Sequence, residues 1–576
     1  MARNEGSSRR LVLACSCFAS LGVFLFGYDQ GVMSGIITNL YFKAYFHQPT
    51  RPELATMVAI LEIGAFVTSI LAGRVGDIFG RRATIFAGAC IFSIGGLFQA
   101  FTDGFRMMVF GRIISGFGVG FLSMCVPVYQ SEISPAENRG RLGCIEFTGN
   151  IIGYASSVWL DYFCSYFTSD LSWRLPLLMQ SVIGTVLALG TLFLPESPRW
   201  LLDTDQDEEG MGVLADLHGD GDPEDERAQE EFREIKEGVL AERAFGDRSY
   251  GAMWRRYRYR TMIAMSAQLF AQLNGINVIS YYAPLVFESA GWLGRDAILM
   301  TGVNAIIYIL STIPTWYLID SLGRRPIFLS GAAVMAVALS LVGFFLYLDQ
   351  SYTPVAVVTS VIVYNAAYGF SWGPTGWLYP AEIMPNAFRV KGVSISTATN
   401  WFGNYVVGEM TPILQETIQW RLYPMHAGFC CLSFVLVYFA YPETAGVPLE
   451  EMDELFGDQP SHTALSDSDA EHAPLRRSHS LPSFHRGLPH SHGPEVEPPL
   501  PRNHVRTLSG SASLPGRGSQ GVEAVKGWWA AHGGKSAAGS AASLVPGGGG
   551  SRPQTPRNYQ AVRQETDDDD EAGARP

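Results

Sequence analysis

Asp77–Ile78–Phe79–Gly80–Arg81–Arg82 is an acid followed by a Gly-Arg-Arg corner, set between two long apolar stretches. The corner returns as Asp320–Ser321–Leu322–Gly323–Arg324–Arg325, 243 positions later. Two more charged landmarks keep nearly that offset. Glu132 and Arg139 are echoed by Glu382 and Arg389 at 250, and Pro195–Glu196–Ser197–Pro198–Arg199 by Pro442–Glu443–Thr444–Ala445–Gly446 at 247. Landmarks recurring in one order mean that a multi-helix unit occurs twice. A duplicated bundle of membrane helices is the build of many secondary transporters, with the substrate held between the halves.

Composition agrees. The chain is 47% hydrophobic and 16% charged, against roughly 25% charged in soluble domains. The net charge of −13 owes much to the acidic stretches 203–247 and 565–571, so it says little about the apolar part. The eight cysteines lie mostly in apolar stretches without zinc-ligand spacing to a His, and read as small buried hydrophobes. No nucleotide-binding motif appears. The expectation is a chain that is not an enzyme, with no cofactor, metal or nucleic-acid partner.

A spanning helix needs about 20 mostly apolar residues. Twelve stretches qualify: 11–38, 54–74, 83–101, 106–130, 141–163, 174–194, 261–287, 294–319, 326–348, 355–381, 392–414 and 423–441. The implied organisation is an N-terminus (1–10), a six-helix half (11–200), a charged helical linker (201–260), a second six-helix half (261–442), a post-helix motif (443–456) and a tail (457–576). Basic residues cluster in alternate loops, at Arg74, Arg81 and Arg82, at Arg139 and Arg141, at Arg255 to Arg260, at Arg324 and Arg325, and at Arg389 and Lys391. The excess of positive charge on the cytoplasmic side then puts both termini in the cytoplasm. The tail is rich in Ser, Gly, Pro and His and is expected to be disordered.

Three groups of residues carry the expected function. The first is the corner charges Asp77, Arg81, Glu132, Arg139, Glu196, Asp320, Arg324, Glu382, Arg389 and Glu443. They read as ion pairs that clamp helix ends in one state of a cycle; the alternative is topology-fixing charges worth ~0–1 kcal/mol each.

The second is Asp29 and Arg112, charges inside apolar stretches. At 1.5 Å per residue, Asp29 lies ~27 Å along the outward first helix and Arg112 ~9 Å from the outer end of the inward fourth. The depths match, so the two can pair. A carboxylate at lipid depth is costly unless paired or protonated, which makes this a candidate proton switch; a permanent helix-locking pair is the alternative. Glu62, Glu146 and Glu409 also fall in predicted helices, and Glu62 has no evident partner.

The third is a set of amides and aromatics on weakened helices. Gln268 and Gln272 share a helical face. Gly275 and Pro284 weaken that helix, and Gly369, Gly373, Pro374 and Gly376 weaken the tenth. With Asn277, Trp377 and Asn400 they form a candidate site for a polyhydroxyl ligand, since amides both donate and accept. The alternative is that each amide merely joins helices.

Over residues 10–456 the chain resembles a sugar porter of the major facilitator superfamily. The carrying segments are Gly27–Tyr28–Asp29, Gly73 through Arg82, Gly111–Arg112, Pro127 through Gly140, Pro195 through Arg199, Gln268 through Asn277, Gly323–Arg324–Arg325 and Pro442–Glu443–Thr444. Phe26 through Gly31 and Leu310 through Pro314 resemble the fungal branch that includes the glycerol/proton symporter. The resemblance implies an all-α fold of twelve transmembrane helices in two six-helix halves, alternating access, and a multi-pass protein of the plasma membrane. It also implies that Gln268, Gln272, Asn277, Trp377 and Asn400 contact sugar and that Asp29 and Arg112 couple a proton. Three positions depart from the family pattern, Phe147, Ala271 and Tyr308. A standard glucose pocket would lose three hydrogen-bonding groups there, so a smaller polyol or another monosaccharide is the alternative substrate.

In the tail, Arg477–Ser478–His479–Ser480–Leu481–Pro482 resembles a phosphoserine-dependent 14-3-3 docking site with Ser480 as acceptor. The leading expectation is a proton-coupled importer of a monosaccharide. The alternatives are a small-polyol symporter, an uncoupled facilitator and a transporter-like nutrient sensor.

Overall fold

The computed structural model describes residues 6–134, 139–244, 246–447 and 452–457. The tail, with Ser480, lies outside them, as does the side chain of Arg139.

The first half is built from α1 (Gly6–Ile36), the short α2 (Leu40–Tyr45), α3 (Arg51–Phe79), α4 (Arg81–Ala100), α5 (Phe105–Ile133), α6 (Arg139–Cys164) and α7 (Leu171–Thr191). Three small helices follow: α8 (Pro198–Asp203), α9 (Asp207–His218) and α10 (Glu226–Ala244). The second half runs through α11 (Tyr250–Leu273), α12 (Ile276–Ser289), α13 (Arg295–Thr312), α14 (Thr315–Leu322), α15 (Arg324–Leu348), α16 (Thr353–Phe370), α17 (Trp372–Ile383), α18 (Arg389–Thr417) and α19 (Leu422–Ala440), with α20 (Met452–Leu455) after it.

Nine described spans are long and apolar enough to cross a membrane, and a tenth is the bent pair α13–α14. α6 and α18 are long enough but more polar, because they carry Asn150, Asp161, Asn400 and Asn404 on buried faces. Large apolar side chains such as Leu189, Val337, Phe344 and Phe439 point outward. A surface of that kind is covered by lipid rather than water. The chain is an integral, multi-pass membrane protein.

Packing repeats as the sequence does. α1 lies on α6 as α11 lies on α18; α3 on α5 as α13 on α16; α4 on α7 as α15 on α19. The two halves meet along α3–α18 and α6–α13. Small residues allow close approach: a Cβ on Gly27 of α1 would stand 2.0 Å from the Asn150 carbonyl of α6.

The corners explain their own sequence. Gly80 and Gly323 turn the chain at φ 90° and 89°, values that favour glycine. A Cβ at either would strike the following acid, Glu196 Oε2 at 2.5 Å or Glu443 Oε2 at 2.6 Å. Those carboxylates accept the first backbone N–H groups of the next helix, Arg81 N at 2.9 Å in one half and Arg324 N at 2.8 Å in the other. Negative charge at a helix N-terminus is favourable. Arg81 then forks onto Glu132, with both bonds at 3.0 Å, and reaches Asp77 at 3.3 Å. Arg324 reaches Glu382 at 2.6 Å and Asp320 at 2.9 Å. Each of these pairs stays within one half. Burial pushes the Glu196 carboxyl above its ordinary value, against the pull of the N–H groups of Ser197, Arg82 and Arg81. Arg389 stands within electrostatic reach of Glu242 on α10.

Helix continuity differs between the halves. The break between α11 and α12 falls at Gly275, with φ 96°. The break between α16 and α17 falls at Ser371, inside the predicted Gly369–Gly376 stretch. The predicted single helix 294–319 is bent by 44° at Ile313–Pro314, because proline removes a backbone donor and crowds the preceding turn.

Candidate functional site

Arg112 Nη1 donates to Asp29 Oδ1 at 2.9 Å, and Nη2 donates to the Val58 carbonyl at 2.7 Å. Asp29 and Arg112 are 2% and 1% exposed. The guanidinium therefore ties α1 and α3 to α5. The depth match read from the sequence is a direct ion pair.

The candidate amides also come together. Gln268 Nε2 donates to the Gly376 carbonyl at 3.0 Å, and Gln268 Oε1 accepts from Asn400 at 2.6 Å. Gln272 Nε2 donates to Asn400 Oδ1 at 3.2 Å. Asn277 Nδ2 donates both to Gln272 Oε1 and to Asn404 Oδ1, each at 2.6 Å. Geometry on three elements makes this possible. Gln268 and Gln272 are one turn apart on α11, Asn400 and Asn404 one turn apart on α18, and the Gly275 break swings Asn277 toward both. All are buried.

A cavity of about 1090 Å³ lies between the halves. Its inner wall is Val23, Phe26, Phe147, Asn150 and Trp377, and it runs outward past Glu146 to the corner residues Asp77, Arg81, Asp320 and Arg324 and to α10. Phe26 lies against Trp377 with ring centroids 6.2 Å apart. On the opposite side the halves touch directly. Tyr154 O–H donates to the Ser280 carbonyl at 3.3 Å, and Thr56 to Glu409 at 2.8 Å. The pocket is thus reached from the side of the corners and α10. Trp377 lines it, whereas the amides stand behind its wall and satisfy one another.

The family model of sugar (and other) transporters matches residues 14–456. The chain belongs to the sugar (and other) transporter family. This transporter is 35% identical over 474 residues to the MFS-type transporter criB of Aspergillus cristatus, covering 81% of this chain and 97% of that one. It is 31% identical over 463 residues to a high-affinity glucose transporter of Kluyveromyces lactis, covering 76% and 84%. Among solved structures it is similar to the major facilitator superfamily proton:xylose symporter XylE bound to 6-bromo-6-deoxy-D-glucose, with 27% identity, a TM-score of 0.67 and coverage of 77% and 99%. The fold is that of a major facilitator sugar porter, and the relatives are transporters, not enzymes.

The three departures have distinct surroundings. Phe147 is on the cavity wall, closing on Gly373, where a Cβ would stand 2.3 Å from its ring. Ala271 is buried against the second half's core. Tyr308 packs between Tyr154 and Tyr368, with each centroid separation 6.4 Å.

Sequence reasoning left Glu62 unassigned and passed over Asn404. Tyr281, on the other half, donates to Glu62 Oε1 at 2.5 Å, and Asn404 Nδ2 donates to the Tyr281 oxygen at 2.9 Å. The signal for Asn404 was available, since it follows Asn400 by one helical turn. No sequence signal connects Glu62 to Tyr281, 219 positions away.

Proposed function

We propose that the protein imports a monosaccharide by proton-coupled symport. The observation that carries this is the buried Asp29–Arg112 pair, held at 2.9 Å in the same bundle as a cavity edged by Trp377 and backed by Gln268, Gln272, Asn277 and Asn400. The relatives named for glucose and xylose support the substrate class. External H⁺ binds Asp29 and loosens its hold on Arg112. Sugar hydroxyls then exchange for the amides' mutual hydrogen bonds, and the halves rock about α3–α18 and α6–α13. The corner charges, expected to clamp one state of the cycle, pair within each half and are read instead as holding helix ends rigid through that motion. Both termini face the cytoplasm of a plasma-membrane protein, so the state described is open inward. The tail offers phospho-Ser480 to a 14-3-3 protein.

The test is uptake by purified protein in sealed vesicles under imposed pH gradients. Inside-alkaline gradients drive accumulation above equilibrium; uptake indifferent to the gradient leaves a facilitator.

A second reading, a small polyol, is favoured by Phe147, which puts a ring where a hydrogen-bonding group would meet a hexose. Competition by glycerol, D-xylose and D-glucose against one labelled substrate decides between them. Phe147→Gln is expected to shift preference toward the hexose.

A further inference from the structure

Glu62 is 1% exposed, and its Oε2 has no hydrogen-bond partner. It sits one helical turn beyond Val58, whose carbonyl holds Arg112. Asp29 and Arg112 both act on it electrostatically. Two carboxylates thus feel one guanidinium at lipid depth, with Asp29 the one bonded to it. A net negative charge there is costly, and binding one proton removes it.

The other side of Glu62 faces the amides. Tyr281 O–H donates to Oε1, Asn404 donates to Tyr281, and Asn277 donates to Asn404. Every donor points toward the carboxylate, and the 2.5 Å contact falls in the range of charge-assisted O–H···O⁻ bonds. Asn277 splits its two hydrogens between this branch and Gln272. A ligand that takes either bond from Asn277 changes what Tyr281 offers Glu62. Among the described residues, further titratable neighbours are Glu409 on α18, bonded to Thr56, and Tyr282 on α12, which donates to the Gly408 carbonyl at 2.8 Å. Neither interrupts the branch.

We propose that Glu62 is a second proton-binding carboxylate of the transport cycle, and that Tyr281, Asn404 and Asn277 link its protonation to the substrate amides. H⁺ from water forms an O–H bond at Oε2, while Tyr281 keeps its own proton. The proposal rests on proton-coupled sugar transport as read above and adds to it a direct path between proton and substrate.

The experiment measures proton uptake on substrate binding by the purified full chain in weak buffer with a pH dye. The probe is whichever of D-glucose, D-xylose or glycerol the wild type carries. Counterflow, which needs no proton gradient, serves as the check on folding. Asp29→Asn is expected to retain substrate-linked proton uptake, and Asp29→Asn with Glu62→Gln to lose it. Tyr281→Phe is expected to keep counterflow but flatten the pH dependence of apparent KM, which is about tenfold per pH unit for each coupled proton. If Asp29→Asn alone abolishes proton uptake, and Glu62→Gln and Tyr281→Phe leave the pH profile of wild type, the proposal is overturned while symport stands. If wild type itself takes up no proton, symport falls and this proposal with it.

Discussion

The two halves are alike at their ends and unlike at their centres. Arg81 and Arg324 meet the same set of partners: a carboxylate four residues back, a glutamate from the next corner, and a helix-capping glutamate behind a positive-φ glycine. At mid-depth the likeness ends. The first half has continuous helices and an ion pair; the second has broken helices and a cluster of neutral amides. Geometry that survives duplication is what any six-helix unit needs to hold its ends. Geometry that diverged is where the halves differ in kind, with a buried ion pair on one side and mutually bonded amides on the other.

The sharpest way to break that division is at the charge. Asp29→Asn is expected to cost the roughly tenfold share of accumulation that one pH unit sustains for one proton, leaving the share coupled through Glu62, while counterflow of substrate continues. Uptake of labelled sugar into vesicles measures both. Accumulation equal to that of wild type would put that proton elsewhere.

Next is the amide side. Asn277→Leu removes two buried hydrogen bonds at ~1 kcal/mol each, so KM is expected to rise about thirtyfold, and its pH dependence is expected to flatten as in Tyr281→Phe. An unchanged KM would make the amide cluster purely structural.

The ends should respond as a matched pair. Gly80→Ala and Gly323→Ala each force a side chain into a positive-φ turn, at ~1 kcal/mol before the collision with the glutamate. Similar falls in the melting temperature of the purified protein are expected. Glu196→Gln and Glu443→Gln should give a smaller, matched fall, from the ~0.3–1 kcal/mol of a charge at a helix N-terminus. A large effect in one half only would mean the corners have also diverged.

Much of the fold was legible because membrane helices declare themselves. Lipid demands about 20 apolar residues with every backbone group bonded internally, and nine of the twelve predicted segments fall on single helices, the other three on helix pairs broken at Gly275, Ile313–Pro314 and Ser371. Matching depths made a pair of Asp29 with Arg112 possible, and the packed helices form it. The bend at Pro314 was missed because apolar length does not report continuity. Glu62 was set aside because its partner comes from the opposite half.

The sequence by itself determined the repeat, the spans and the kinds of residue in each half, since local spacing and lipid solubility set these. The tertiary structure alone decided that Gln268, Gln272, Asn277, Asn400 and Asn404 bond one another, and that the chain of bonds ends on Glu62. Hydrogen bonds are short and directional, so who bonds whom is fixed only when distant helices are packed side by side.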